Sequence, residues 1–141
     1  MKHNLKDLVI PKENEDLLKV FIKTMPIAVA MLDDHLRYII TSDRWFKETN
    51  LPESDITGKL HYDIVPDLPE RWKETHQRCL KGEHVKCEED VFIRSNGNTE
   101  YLRWEILPWY KSSDIIGGII MFVEHITERK IAEKKMEKML T

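Results

Sequence analysis

Apolar residues change their spacing along this chain, and each change marks an element. From Lys12 to Met25, Leu17, Leu18, Phe21, Ile22 and Met25 share one helical stripe. Glu13, Glu15 and Asp16 stand in its first turn, where the helix dipole favours negative charge. Pro26 stops it. Ile27 to Leu32 and Leu36 to Ile40 are short apolar runs parted by Asp33–Asp34, the pattern of a hairpin. Thr41–Ser42–Asp43 can cap a helix carrying Trp45 and Phe46, which Leu51–Pro52 ends. Turn residues break up Pro52 to Pro69, so short helices and loops are expected there, around Ser54 to Thr57 and His61 to Val65. A second clear helix is predicted from Asp67 to Leu80, with Pro69 in its first turn and Gly82 just past its end. Its apolar stripe is Trp72, His76, Cys79 and Leu80.

The period then shortens to two. His84 to Arg94 reads as a strand, Ser95–Asn96–Gly97–Asn98 as a hairpin turn, and Thr99 to Tyr110 as the next strand. Leu102, Trp104 and Ile106 take one face of that strand; Arg103 and Glu105 take the other. Ser112–Ser113–Asp114 turns the chain and Ile115 to Val123 returns. This last strand is apolar on both faces: Ile116, Gly118, Ile120 and Phe122 on one, Ile115, Gly117, Ile119, Met121 and Val123 on the other. A sheet with one wet face would alternate, so something covers the second face. The helix of residues 12–25 is the obvious lid, in its own chain or across a symmetric dimer. Covering each such side chain contributes about 1.5–3 kcal/mol.

Thr127 can cap a last helix from Glu128 to Leu140, whose Ala132, Met136, Met139 and Leu140 form a short coiled-coil seam. Two turns of seam do not hold alone, so the seam is expected to continue into an output module of a longer protein. The order of helix, two strands, several helices, three strands and helix predicts an α+β domain: an antiparallel sheet with helices on one face.

Composition narrows the function. At 141 residues, 41% hydrophobic and 33% charged, the chain suits one soluble domain with a real core. A net charge of −3 with interspersed signs makes no electrostatic case for nucleic acid or an anionic membrane. No apolar run is long enough to span a bilayer, and the N-terminus lacks the apolar core of a secretory signal. Cys79 and Cys87 alone make no disulfide framework, so a reducing cytoplasm is the expected location. Cys79, His84 and Cys87 match no standard zinc spacing, and no metal site is expected. There is no glycine-rich phosphate loop, no HExxH, no G-x-S-x-G and no nucleophile paired with a base, so catalysis is not expected. Glu88, Glu89 and Asp90 read as a solvated charge run, or at best as one cavity acid. A cone-shaped α+β hydrolase or isomerase would lead with long helices, which this chain places in its middle.

Three segments carry a resemblance: GKLHYDIVPDLPERWKETHQRCLKGE (58–83), RWEILPWY (103–110) and GGIIMFVEHITERK (117–130). With their spacing, they resemble a PAS sensory domain with its trailing PAC motif, as in bacterial sensor histidine kinases and diguanylate cyclases. The likeness runs from about Leu17 to Glu133. It implies a five-stranded antiparallel sheet wrapped by helices around a small cavity, an N-terminal lid helix and a C-terminal exit helix. The boundaries are then 1–16 for a leader and the start of the first helix, 17–126 for the sensory domain and 127–141 for a coiled-coil-like linker helix. The implied role is a regulatory, signal-sensing and dimerising module. It would bind a small ligand or partner and pass the signal to a kinase or cyclase output domain. The alternatives are a ligand-free dimerisation module and a haem-binding gas or redox sensor.

Alternation and family position nominate Trp45, Tyr62, Trp72, His76, Phe92, Trp104 and Ile120 for the cavity. Leu17, Leu18, Phe21 and Met25, with the outer sheet face, are the expected lid or homodimer contacts, and His125, Thr127 and Arg129 the signal exit. Haem-binding relatives draw their proximal ligand from the helix that carries His76; the other reading is a histidine packed at the cavity edge with its ring nitrogens hydrogen-bonded. Covalent flavin photochemistry of the LOV type needs a cysteine that residues 53–68 lack; non-covalent flavin stays open, and no cofactor is the favoured expectation. One position departs from the family. Relatives read Asp-Ile-Thr where this chain has His125–Ile126–Thr127, and that aspartate helps tie the sheet to the exit helix through a salt bridge. His125 supplies no anion and Glu124 points to the opposite face, which opens a pH-sensitive joint, since histidine titrates near neutrality.

Overall fold

The central strand of the sheet is the one whose two faces are both apolar. A computed structural model describes residues 14–140 of the chain. Its elements are α1 (Glu15–Lys23), β1 (Ala28–Asp33), β2 (Tyr38–Thr41), α2 (Arg44–Thr49), α3 (His61–Ile64), α4 (Glu70–Leu80), β3 (Val85–Ile93), β4 (Thr99–Ser112), β5 (Ile115–His125) and α5 (Thr127–Leu140). The strands form one antiparallel sheet in the order β2-β1-β5-β4-β3. Local hairpins pair β1 with β2, β3 with β4 and β4 with β5; the long-range pairing of β1 with β5 closes the sheet. The greater part of the expected leader, with the predicted helix start at Lys12 and Glu13, lies outside the described residues.

One sheet face packs on the helices between β2 and β3. Ala28, Ala30, Leu32, Ile106, Ile119 and Met121 meet Trp45 of α2 and Cys79 of α4 there. On the other face, Val29, Met31, Trp109, Ile120 and Phe122 are covered by Ile22, Leu18 and Met25. The lid therefore packs in its own chain. The predicted helical stripe does not go in whole: Ile22 is buried, whereas Leu17 and Phe21 remain 73% and 62% exposed, as does Val20 beside them at 61%. A stripe that includes adjacent residues is wider than the strip of helix a flat sheet can touch.

Trp109 explains Gly117 of β5, while Gly118 lies against the β1 backbone at Leu32 and Asp33. Its indole lies on Gly117, where a Cβ would fall 2.2 Å from the ring, and its Nε1 donates to the Leu32 carbonyl of β1 at 2.8 Å. One side chain of β4 thus reaches across β5 to bond the strand beyond it.

Several helix starts differ from expectation. Residues around Ser54 to Thr57 form a loop rather than a helix. Pro69 sits just before α4 rather than within it, and Asp43 makes no capping bond. Ser42 instead spans the β1 entry, accepting from the Val29 N–H at 3.0 Å and donating to the Ile27 carbonyl at 2.7 Å. Thr127 is the first residue of α5, and its hydroxyl accepts the Tyr101 N–H of β4 at 3.0 Å. That hydroxyl ties helix to sheet. No residue of α5 is buried, and Met136, Met139 and Leu140 are exposed.

Candidate functional site

A cavity of about 70 Å³ lies between the helix-side face of the sheet and α2 to α4. Trp45, Trp72, His76, Phe92 and Trp104, all nominated from sequence, line it. Tyr62 stands behind this wall, with its hydroxyl 2.8 Å from His76 Nδ1 and its ring stacked on the imidazole. Ile120 does not belong to the cavity. It lies on the outer face under α1, and Met121 and Val123 take the inner positions. Alternation separates the two faces of β5 correctly but carries no label for which is inner when both are apolar.

His61, absent from the sequence nominations, is buried beside His76 with ring centroids 5.4 Å apart. Its Nδ1 bonds the Tyr38 hydroxyl. Burial lowers the pKa of His61 to about 3, with nearby His76 adding to the effect, and burial lowers His76 to about 4. Burial pushes Tyr38 upward, and burial with Glu70 raises Tyr62 to about 12. Both imidazoles are therefore neutral and both phenols protonated at neutral pH. Trp45 Nε1 is buried near enough to the Tyr38 hydroxyl to temper its rise, but lies outside hydrogen-bond geometry with any described residue.

Two of the tryptophans are held from behind by one acid. Asp90 Oδ2 accepts from Trp72 Nε1 at 2.6 Å and from Trp104 Nε1 at 2.9 Å. Its Oδ1 accepts from Arg71 and from the Val91 N–H, each at 2.8 Å. Partial burial raises the Asp90 pKa, but the hydrogen bonds from Trp104, Arg71, Trp72 and Val91 outweigh it and hold the carboxyl below its usual value. The pairing register of β3 shifts between Cys87 and Asp90, which turns this acid toward the indoles while Glu88 stays in solvent. The charge run therefore contains an acid that braces the cavity wall.

Arg94 and Glu100 also border the cavity, but as paired charges. Arg94 is anchored on Asp67 at 2.9 Å and lies over the Phe92 ring, and Glu100 accepts from Asn50 at 3.0 Å. The wall so presents aromatic faces, neutral imidazoles and one neutralised ion pair.

At the exit joint, the His125 N–H donates to Glu48 of α2 at 2.9 Å. His125 Nε2 is 3.2 Å from the Thr127 hydroxyl and 3.9 Å from Glu100. Glu124 points the other way, as expected, and pairs with Arg103 at 2.9 Å. Arg129 reaches Glu133 one turn along α5 rather than the joint. Two carboxylates therefore meet residue 125, Glu48 of α2 at its backbone N–H and Glu100 of β4 beside its ring.

Haem does not fit. The space about His76 is smaller than the ~150 Å³ that an engineered cavity needs for benzene. A flavin ring system fails on the same ground. Among the described residues no cluster of three or more His, Cys, Asp or Glu is placed to hold a metal. Cys79 and Cys87 are free thiols, Cys79 being buried against the Ile106 carbonyl. No described helix is long and apolar enough to cross a membrane.

An open five-stranded antiparallel sheet, with α2 to α4 over one face, α1 over the other and a cavity beneath α2 to α4, defines an α+β domain. The family model described as the PAS fold matches residues 22–131, and the chain belongs to that family. PAS domains are generally regulatory. Among solved structures, the PAS domain of BvgS from Bordetella pertussis is similar, with a TM-score of 0.65 and 20% identity over 91% of this chain and 97% of that one. VqmA bound to DPO gives 0.60 and 16% identity over 79% of this chain. An RNA-binding light-oxygen-voltage receptor gives 0.65 and 13% identity over 93%. The chain spans 57% of that VqmA and 38% of that receptor. No curated protein matches the sequence.

Proposed function

We propose that this chain is a cytoplasmic sensing and dimerisation module that binds a small uncharged ligand and passes the result through α5 to an output domain of histidine-kinase or diguanylate-cyclase type. The observation that carries this reading is the lined cavity. Its titratable walls are two neutral histidines and an Arg94–Glu100 pair already neutralised, so a charged ligand would lose hydration without gaining a partner. Its aromatic faces favour an apolar or planar molecule. A ligand of even one ring needs the cavity enlarged. VqmA, a structural neighbour, is described as ligand-bound. Residues 17–126 are assigned to the sensor and 127–141 to the linker helix.

A second reading, a dimerising module without ligand, is favoured by the uncovered Leu17, Val20 and Phe21 of α1. Native mass spectrometry with small-molecule extraction separates the two. A compound retained by the purified chain supports sensing; an empty dimer supports assembly alone.

A further inference from the structure

Glu100, near the start of β4, touches both the cavity and the exit. It is 8% exposed, and a carboxylate buried that deeply must be paired. Oε1 accepts from Asn50 Nδ2 at 3.0 Å. Oε2 faces two groups at once, Arg94 Nη1 at 3.7 Å and His125 Nε2 at 3.9 Å. Both separations exceed a hydrogen bond, so a movement of about 1 Å closes either contact and opens the other. The two neighbours belong to different parts of the molecule. Arg94 is cavity wall, lying over Phe92 and anchored on Asp67. His125 ends β5 and meets Thr127, the first residue of α5, whose hydroxyl holds the Tyr101 N–H.

We propose that Glu100 couples occupancy of the cavity to the exit helix. Filling the cavity displaces the Phe92–Arg94 wall, Glu100 closes on His125, and His125 gives up Thr127. The tie between α5 and the sheet then loosens. Glu100 acts as a positioning residue, and an uncharged occupant suffices because displacement is what moves the carboxylate. The charged groups facing His125 are Glu100 from β4 and Glu48 from α2, with Arg94 of the β3–β4 turn behind Glu100. This coupling rests on the cavity being the ligand site, and it regulates that same site.

Xenon, which enters dry apolar cavities, is the probe. The full chain is followed by NMR under xenon pressure, reading the Met121 methyl in the cavity, the His125 ring and the Thr127 amide. In the unmodified protein all three are expected to shift together. In Glu100→Gln, which keeps side-chain size, the Met121 shift stays while the His125 and Thr127 shifts fall several-fold. His125→Asn gives the same loss at Thr127 and carries the test if Glu100→Gln does not fold. Shifts at Thr127 that persist in both variants, or that never pass beyond Met121 in the unmodified protein, overturn the coupling. No shift at Met121 in any form overturns the coupling and the ligand-cavity reading together.

Discussion

The indole N–H groups of Trp72 and Trp104 end on the same oxygen, Asp90 Oδ2, although the two residues come from α4 and β4. One carboxylate so sets the angle of two cavity walls. Asp90→Ala is expected to leave both donors without their partner and to destabilise the fold by about 1–3 kcal/mol in urea titration. Asp90→Asn keeps one acceptor oxygen and should cost less. The Asp90 pKa is held down in the folded state, so its contribution is present above the unfolded carboxyl pKa and is lost as pH falls through the folded value. In Asp90→Asn that part of the acid sensitivity is expected to disappear. Equal urea midpoints for Asp90→Ala and the unmodified protein would remove the brace from this account.

The buried histidines predict a second acid effect in a different window. Their folded pKa values, about 3 for His61 and about 4 for His76, lie below the unfolded value near 6.5. The unfolded chain therefore binds more protons between those limits. Stability is complete above about pH 6.5 and falls as pH drops toward the folded values, by on the order of 2 kcal/mol per histidine between pH 7 and 5. His76→Gln should remove about half of that slope in urea melts at the two pH values. A slope unchanged in this variant would mean that His76 is protonated in the folded state.

Gly117 is occupied by its neighbour. Gly117→Ala puts a methyl group into the Trp109 ring, 2.2 Å from its nearest atom, and the indole must leave the Leu32 carbonyl. The expected cost is about 1–3 kcal/mol from overpacking, read by thermal denaturation. Trp109→Ala in the same chain should make Gly117→Ala nearly neutral; two costs that simply add would show that the ring is not the obstacle.

On α1, Leu17 and Phe21 are exposed while Ile22 is buried. Leu17→Glu with Phe21→Glu is expected to leave the melting temperature within a few degrees, because neither side chain supports the sheet. It should convert the dimer proposed above to a monomer in light scattering after size exclusion. A dimer that survives would move the interface away from this face.

Much of this molecule was legible in local patterning. The period of two across β3, β4 and β5, the stripe of α4 and the Asn-Gly hairpin named their elements because each depends only on neighbours a few residues away. The five aromatic and histidine residues of the cavity wall followed from the same alternation joined to the family resemblance. Where patterning misled, the missing information was long-range. Ile120 and Met121 are equally apolar, and only the pairing of β5 with both β1 and β4 under α1 decided that Met121 faces inward. The run Glu88–Asp90 read as solvated or as holding one cavity acid, and only a register shift, invisible in composition, decided that Asp90 is that acid while its acidic neighbours stay out. Thr127 looked like a cap and became a tie to β4, since the partner it accepts from is 26 residues away in the chain. Local spacing determines which residues share a face; tertiary packing decides which face is inside and which distant groups a polar side chain must satisfy there.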